Sequence, residues 1–130
     1  FSWGAGEPGL GVGPAPLDAK AFAELEKSLG FKTLIDILQS YVATAEQLAT
    51  QLIEASEAKE WTQAGRVAQD FAGAAGGLGL NALTAAARAL AQGARDGAEP
   101  GILSASAGDV VSQHRRVTEA LRRLYPALSV

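Results

Sequence analysis

Residues 66–83 read RVAQDFAGAAGGLGLNAL, and the fold turns on whether they form a helix. The apolar positions Ala64, Ala68, Phe71, Ala75 and Leu78 recur in steps of three and four, the spacing of one helical face. Yet Gly73, Gly76, Gly77 and Gly79 interrupt the run. Each glycine inside a helix costs about 1 kcal/mol relative to alanine, a noticeable share of a domain stability of roughly 5–15 kcal/mol. We read the segment as a helix from Trp61 that ends or bends at the Gly76–Gly79 cluster, with an unusually bare outer surface.

The same period extends in both directions. Asp18 is placed to cap a short first helix with Phe22, Leu25 and Leu29 on its stripe, ended by Gly30. A long second helix follows from Phe31 to about Ala58, with Phe31, Leu34, Leu38, Tyr41, Ala45, Leu48, Leu52 and Ala55 in line, so its length is roughly 40 Å at 1.5 Å per residue. A short turn near Lys59 leads into the glycine-bearing third helix. A fourth helix is expected from about Leu80 to Asp96, with Leu80, Leu83, Ala87 and Leu90 inward. DGAEPG is a break. The last helix is expected from Ser104 or Ser106 to about Tyr125, with Val110, His114, Val117, Leu121 and Leu124 on its stripe and Pro126 closing it. The predicted fold is all-α: an antiparallel four-helix bundle with an additional short N-terminal helix.

Composition agrees. In 130 residues, hydrophobic side chains make up 48% but aromatics only 6%, with five prolines, which favours packed helices. The absence of cysteine removes disulfides and thiolate metal sites, and a single histidine removes a multi-histidine site. No metal and no cofactor is expected. Residues 1–16, FSWGAGEPGLGVGPAP, read as a Gly/Pro-rich linker or tail, and 17–130 as the bundle. Gly4, Gly6 and Gly9 spell a formal dinucleotide-binding pattern, but no strand precedes it and no helix follows, so it predicts no nucleotide site. Phe1 and Trp3 offer aromatic surface for packing on the domain or a neighbour.

No apolar run reaches the roughly 18–20 residues of a membrane span. With no secretory signal and Phe1 at the start, the expectation is a cytoplasmic fragment or the end of a larger protein. The net charge is −3, with nine acids and four lysines in residues 1–60 against five acids and seven arginines in 61–130. That balance argues against nucleic acid as a partner.

Beside the inward stripe of the third helix runs a second row: Thr62, Arg66, Gln69, Gly73 and Gly76, with Ala72 alongside. Taken alone, this row has two readings. Small residues let two helices approach closely, or they leave Gln69 exposed to a partner docking flat on the helix.

AQDFAGAAGGLGL, residues 68–80, resembles the signature of histidine-containing phosphotransfer (HPt) domains. Ala68, Gly73, Ala75, Leu78 and Gly79 match it, and Phe71 replaces the usual leucine. LDAKAFAELEKSLG resembles the family's opening helix, LIDILQSYVATAEQLATQLIEASEAKEW its second, and ALTAAARALAQGARDG and VTEALRRLY its later helices, so the likeness covers about residues 17–125. It implies the same helical bundle, a place in two-component phosphorelay signalling, and a receiver domain or histidine kinase as partner.

Two positions depart from the signature. Gln69 stands where the phosphoacceptor histidine belongs, and Ala72 where the supporting lysine belongs. A histidine that attacks a phosphoaspartate has a ring nitrogen with an available lone pair and a pKa near neutrality. The glutamine amide nitrogen has its lone pair delocalised into the carbonyl and is not nucleophilic. Ala72 supplies no charge to steady a phosphoryl group, Asp70 would repel one if close, and Arg66 is the only cation left on the row.

These departures imply a degenerate, non-phosphorylatable HPt-like domain, with no catalytic residue, that is not an enzyme and acts by docking. Arg66, Gln69, Ala72, Gly73 and Gly76 are its expected partner-binding residues. Two alternatives stand beside it: an active phosphocarrier whose natural histidine has been replaced by glutamine, and a structural bundle that forms a homodimer through its Ala-rich seams.

Other polar residues read as structural. His114 falls on an inward stripe and is expected to be a partly buried core histidine rather than a displaced phosphoacceptor. Asp70 lacks the neighbouring carboxylates that a magnesium-dependent phosphoacceptor requires. Arg115, Arg116, Arg122 and Arg123 are expected to form a solvated face that pairs with the acidic first half, without the interleaved aromatics of a nucleic-acid surface.

Overall fold

The computed structural model describes residues 17–128. The expected tail of residues 1–16, with its glycine pattern and Phe1 and Trp3, lies outside the described residues. The described chain forms five helices and no strand: α1 (Ala19–Leu29), α2 (Phe31–Glu57), α3 (Trp61–Gly76), α4 (Asn81–Asp96) and α5 (Pro100–Leu124). Helices α2 to α5 follow one another through short turns and pack each on the next, with α5 returning to α2 and α1 lying on α2. This is the predicted antiparallel bundle with a short helix added at its N-terminus.

The helix ends follow local chemistry. Asp18 caps α1, its Oδ1 accepting from the Lys20 and Ala21 N–H groups at 3.0 and 3.3 Å. Lys59, in the left-handed region at φ 60°, turns the chain between α2 and α3. Gly79, at φ 70°, makes the α3–α4 turn, a conformation that costs a side-chain-bearing residue more than glycine. Leu80 then donates its N–H to the Ala75 carbonyl at 3.1 Å, and Thr84 returns its hydroxyl to the Leu80 carbonyl at 2.9 Å.

The start of α5 departs from the expectation. The helix begins at Pro100, not at Ser104 or Ser106, because proline carries no N–H that would go unbonded in a first turn and its φ is already helical. The extra turn places Leu103 in the core. The core otherwise follows the predicted stripes, with Phe22, Leu34, Leu38, Leu52, Phe71, Leu80, Leu83, Leu90, Val110, Val117 and Leu121 at most 1% exposed. The stripe ends are the exceptions: Leu29, Phe31 and Leu124 are 42–50% exposed at the open end of the bundle. There the buried Tyr125 takes the place expected for Leu124, its ring centroid 6.3 Å from that of Phe31.

Among the described helices, the most extensive contact joins α3 to α4. It is close because of Gly65: a Cβ built there would meet the Ala94 Cβ at 2.9 Å, nearer than two carbons can pack. Gly73 is different, since a Cβ at that position would meet nothing within 4 Å. Close helix approach therefore explains Gly65, and the turn explains Gly79, but neither explains Gly73. Accordingly, Gly65→Ala should lower the unfolding free energy by about 1–3 kcal/mol through overpacking, whereas Gly73→Ala should raise it by up to about 1 kcal/mol through helix propensity. Urea unfolding of the two variants reads the difference, and the opposite order would contradict this division.

Candidate functional site: the face around Gln69

Helix periodicity sets Gln69 on the opposite side of α3 from its core residues. Phe71 points inward and is fully buried; two residues earlier, at about 100° per residue, Gln69 faces outward and is exposed. Arg66, Gly73 and Gly76 are exposed on the same side. Ala72 is 8% exposed and forms floor rather than rim. Of the predicted row, then, Arg66, Gln69, Gly73 and Gly76 present surface, while Ala72 contributes little of its own.

The row is one wall of a groove whose other wall is α4. On the Gly73 side the groove has a volume of about 750 Å³ and is lined by Gln69, Ala72, Gly73, Ala85, Arg88, Ala89, Ala91, Gln92 and Arg95. On the Thr62 side it continues for about 390 Å³ between Thr62, Gly65, Arg66, Gln69, Ala91, Ala94 and Arg95. Gln69, Ala91 and Arg95 line both parts, so Gln69 stands at the middle of one continuous shallow trough. Its floor is alanine and glycine, which keeps it open.

The charges in this trough differ from the expectation. Arg66 is the only cation on the α3 row, but α4 adds Arg88 and Arg95, so three guanidinium groups surround Gln69. None of them is in an ion pair among the described residues. Arg95 Nη2 donates to Gln92 Oε1 at 2.7 Å, and Gln92 Nε2 donates to Asp96 Oδ1 at 2.9 Å, a chain that holds Arg95 against α4. Among the described residues no carboxylate lines either part of the groove, and Asp70, though exposed, lies outside it. The repulsion expected from Asp70 therefore falls away from the trough.

Sequence reading missed Arg88 and Arg95. Arg88, Gln92 and Arg95 follow one another in steps of four and three, which marks one face of α4. What the spacing lacks is the angle at which α4 packs on α3, and that angle turns this face toward Gln69.

The remaining polar residues sit elsewhere. His114 is 3% exposed, its Nε2 lies 2.7 Å from Glu46 Oε1, and its ring meets Phe71 edge-on at 5.5 Å between centroids. It joins α5 to α2 behind α3, on the core side and not on the Gln69 side. Arg115, Arg116, Arg122 and Arg123 are exposed as expected, but Arg123 pairs with Glu119 one turn back on α5 at 3.6 Å, not with the acidic first half. Among the described residues, no three acidic or histidine side chains converge as metal ligands, and no helix is long and apolar enough to cross a membrane.

The sequence model of the Hpt domain family matches residues 36–128, from early α2 to just beyond α5. No curated protein and no solved structure matches the chain. If His114 is a core residue, Glu46→Ala should destabilise the fold by about 1–3 kcal/mol, the cost of leaving a buried polar group without its partner. Thermal or urea unfolding measures this, and an unchanged midpoint would contradict the structural role.

Proposed function

The chain belongs to the Hpt domain family, the phosphotransfer domains of phosphorelay signalling, and from that premise we propose that it docks a receiver or kinase domain without carrying phosphate. The observation behind this reading is the pairing of Gln69 with Gly73. The residue at the phosphoacceptor position has no nucleophilic nitrogen, while the surface beside it remains bare although packing does not require it to be. Ala72 removes the supporting lysine as well, so two elements of the transfer chemistry are missing while the approach surface persists.

In this reading Arg66, Gln69, Gly73 and Gly76 meet the partner over the floor at Ala72. The domain is a cytoplasmic binding module and not an enzyme. It acts by occupying the partner's face or by holding the partner in place. Glutamine suits such a contact, because its amide donates and accepts hydrogen bonds without charge. The chemistry predicts that incubation with a phosphorylated receiver leaves no acid-labile phosphate on this chain.

Gly73→Arg provides the direct test. Arginine has a higher helix propensity than glycine and would stand in open space, so the fold persists while a long charged side chain covers the trough. Calorimetric titration with receiver domains encoded beside this chain should show binding by the parent and none by the variant, whose circular dichroism stays unchanged. Unchanged affinity in the variant, or phosphate appearing on the parent, would overturn the proposal.

A further inference from the structure

The groove carries more positive charge than a flat docking surface requires, and the charge is concentrated. Arg66, Arg88 and Arg95 come from two helices and line a trough to which the described residues contribute no carboxylate, in a chain whose net charge is −3. Charge of this kind is ordinarily offset by neighbouring acids, and here no ion pair joins any of the three to an acid among the described residues. Arginine matches a tetrahedral or planar oxyanion better than lysine does, since its fork of donors binds two oxygens at once. Gln69, which lines both parts of the trough, adds an amide that can donate as well.

We propose that this groove binds the phosphoryl group of a phosphoaspartate on a receiver domain, so that docking selects the phosphorylated receiver over the unphosphorylated one. The inference rests on the docking reading above and adds its regulation. Gln69 and the three arginines hold the phosphoryl oxygens by hydrogen bonds and charge. No bond to phosphorus forms, because the Gln69 amide nitrogen has its lone pair delocalised into the carbonyl and is not nucleophilic. The acyl phosphate stays on the receiver, and the complex lasts as long as that phosphate does. A domain of this design senses the phosphorylated state of its partner instead of relaying it.

The choice of a phosphoryl dianion over a bare carboxylate follows from the number and arrangement of donors. A single carboxylate brings one charge and two oxygens to three guanidinium groups. A phosphoryl group presents three terminal oxygens and twice the charge, which three guanidinium groups around one amide can share.

Two linked measurements test the proposal. In the first, the domain is titrated with a receiver domain in magnesium buffer, with and without beryllofluoride, which mimics the aspartyl phosphate. The activated receiver should bind at least about tenfold tighter, a difference of about 1.4 kcal/mol. Arg88→Ala with Arg95→Ala should bring the affinities for the two receiver forms to equality, and Arg88→Lys with Arg95→Lys should restore part of the difference. In the second, arginine side-chain N–H signals are followed by NMR against acetyl phosphate, a small acyl phosphate, with acetate at equal ionic strength as control. Arg88 and Arg95 should shift with acetyl phosphate and not with acetate.

Equal affinity for the two receiver forms, or an advantage that survives loss of both arginines, overturns the state selectivity and leaves plain docking in place. Shifts with acetyl phosphate accompanied by no receiver binding in either form overturn docking itself, and leave a site for small phosphates. Equal shifts with acetate and acetyl phosphate reduce the groove to a general anion surface and overturn the proposal.

Discussion

The close approach of α3 to α4 is the constraint on which the rest of the structure depends. Gly65 lets α3 settle within a carbon's width of Ala94, and Gly79 supplies the left-handed turn that reverses the chain between the two helices. With the pair fixed at that distance, Ala72 and Ala91 form a shallow floor, and Gln69 and Arg95 line it from the two helices. A bulkier residue at position 65 would push the helices apart and separate the walls of the trough. Beneath it, the buried rings of Phe71 and His114, the latter bonded to the exposed Glu46, hold α3 from the other side.

On this scaffold, a change of one functional group alters what the face can do. An imidazole at position 69 would be a nucleophile in a basic groove. The amide of Gln69 in the same groove is only a hydrogen-bonding group surrounded by positive charge. Electrostatic attraction and nucleophilic attack are separable properties of a phosphotransfer face; in our reading Gln69 removes the second, and Arg66, Arg88 and Arg95 supply the first, to which Ala72 adds nothing. In our proposal this separation turns a carrier of phosphate into a reader of it.

Much of this was legible in the residues. The three-and-four spacing from Leu34 to Leu52 and from Ala64 to Ala75 gave the helices and their buried faces, and Asp18 and Gly30 marked the ends of the first. Gln69 and Gly73 could be placed on one outer face by counting turns. The beginning of α5 could not be read as easily, because Glu99-Pro100-Gly101 carries signals for a break and for a helix start together, and the serines at 104 and 106 also resemble caps. Leu124 and Tyr125 adjoin in sequence, and the packing of the bundle's end, not the period, decides which is buried. The α4 arginines were legible as a face of their own helix, but their position across from Gln69 depends on how two helices pack, and no local pattern encodes that.

The central claim is that the Gln69–Gly73 face still engages a partner after losing its chemistry. An NMR titration of the isotopically labelled domain with receiver domains encoded beside it tests this most directly. The account predicts backbone shifts confined to α3 around Gln69 and Gly73 and to the facing stretch of α4 from Arg88 to Arg95. A receiver at saturating concentration with no shifts on that face, or with shifts on the α5 arginines instead, would contradict it.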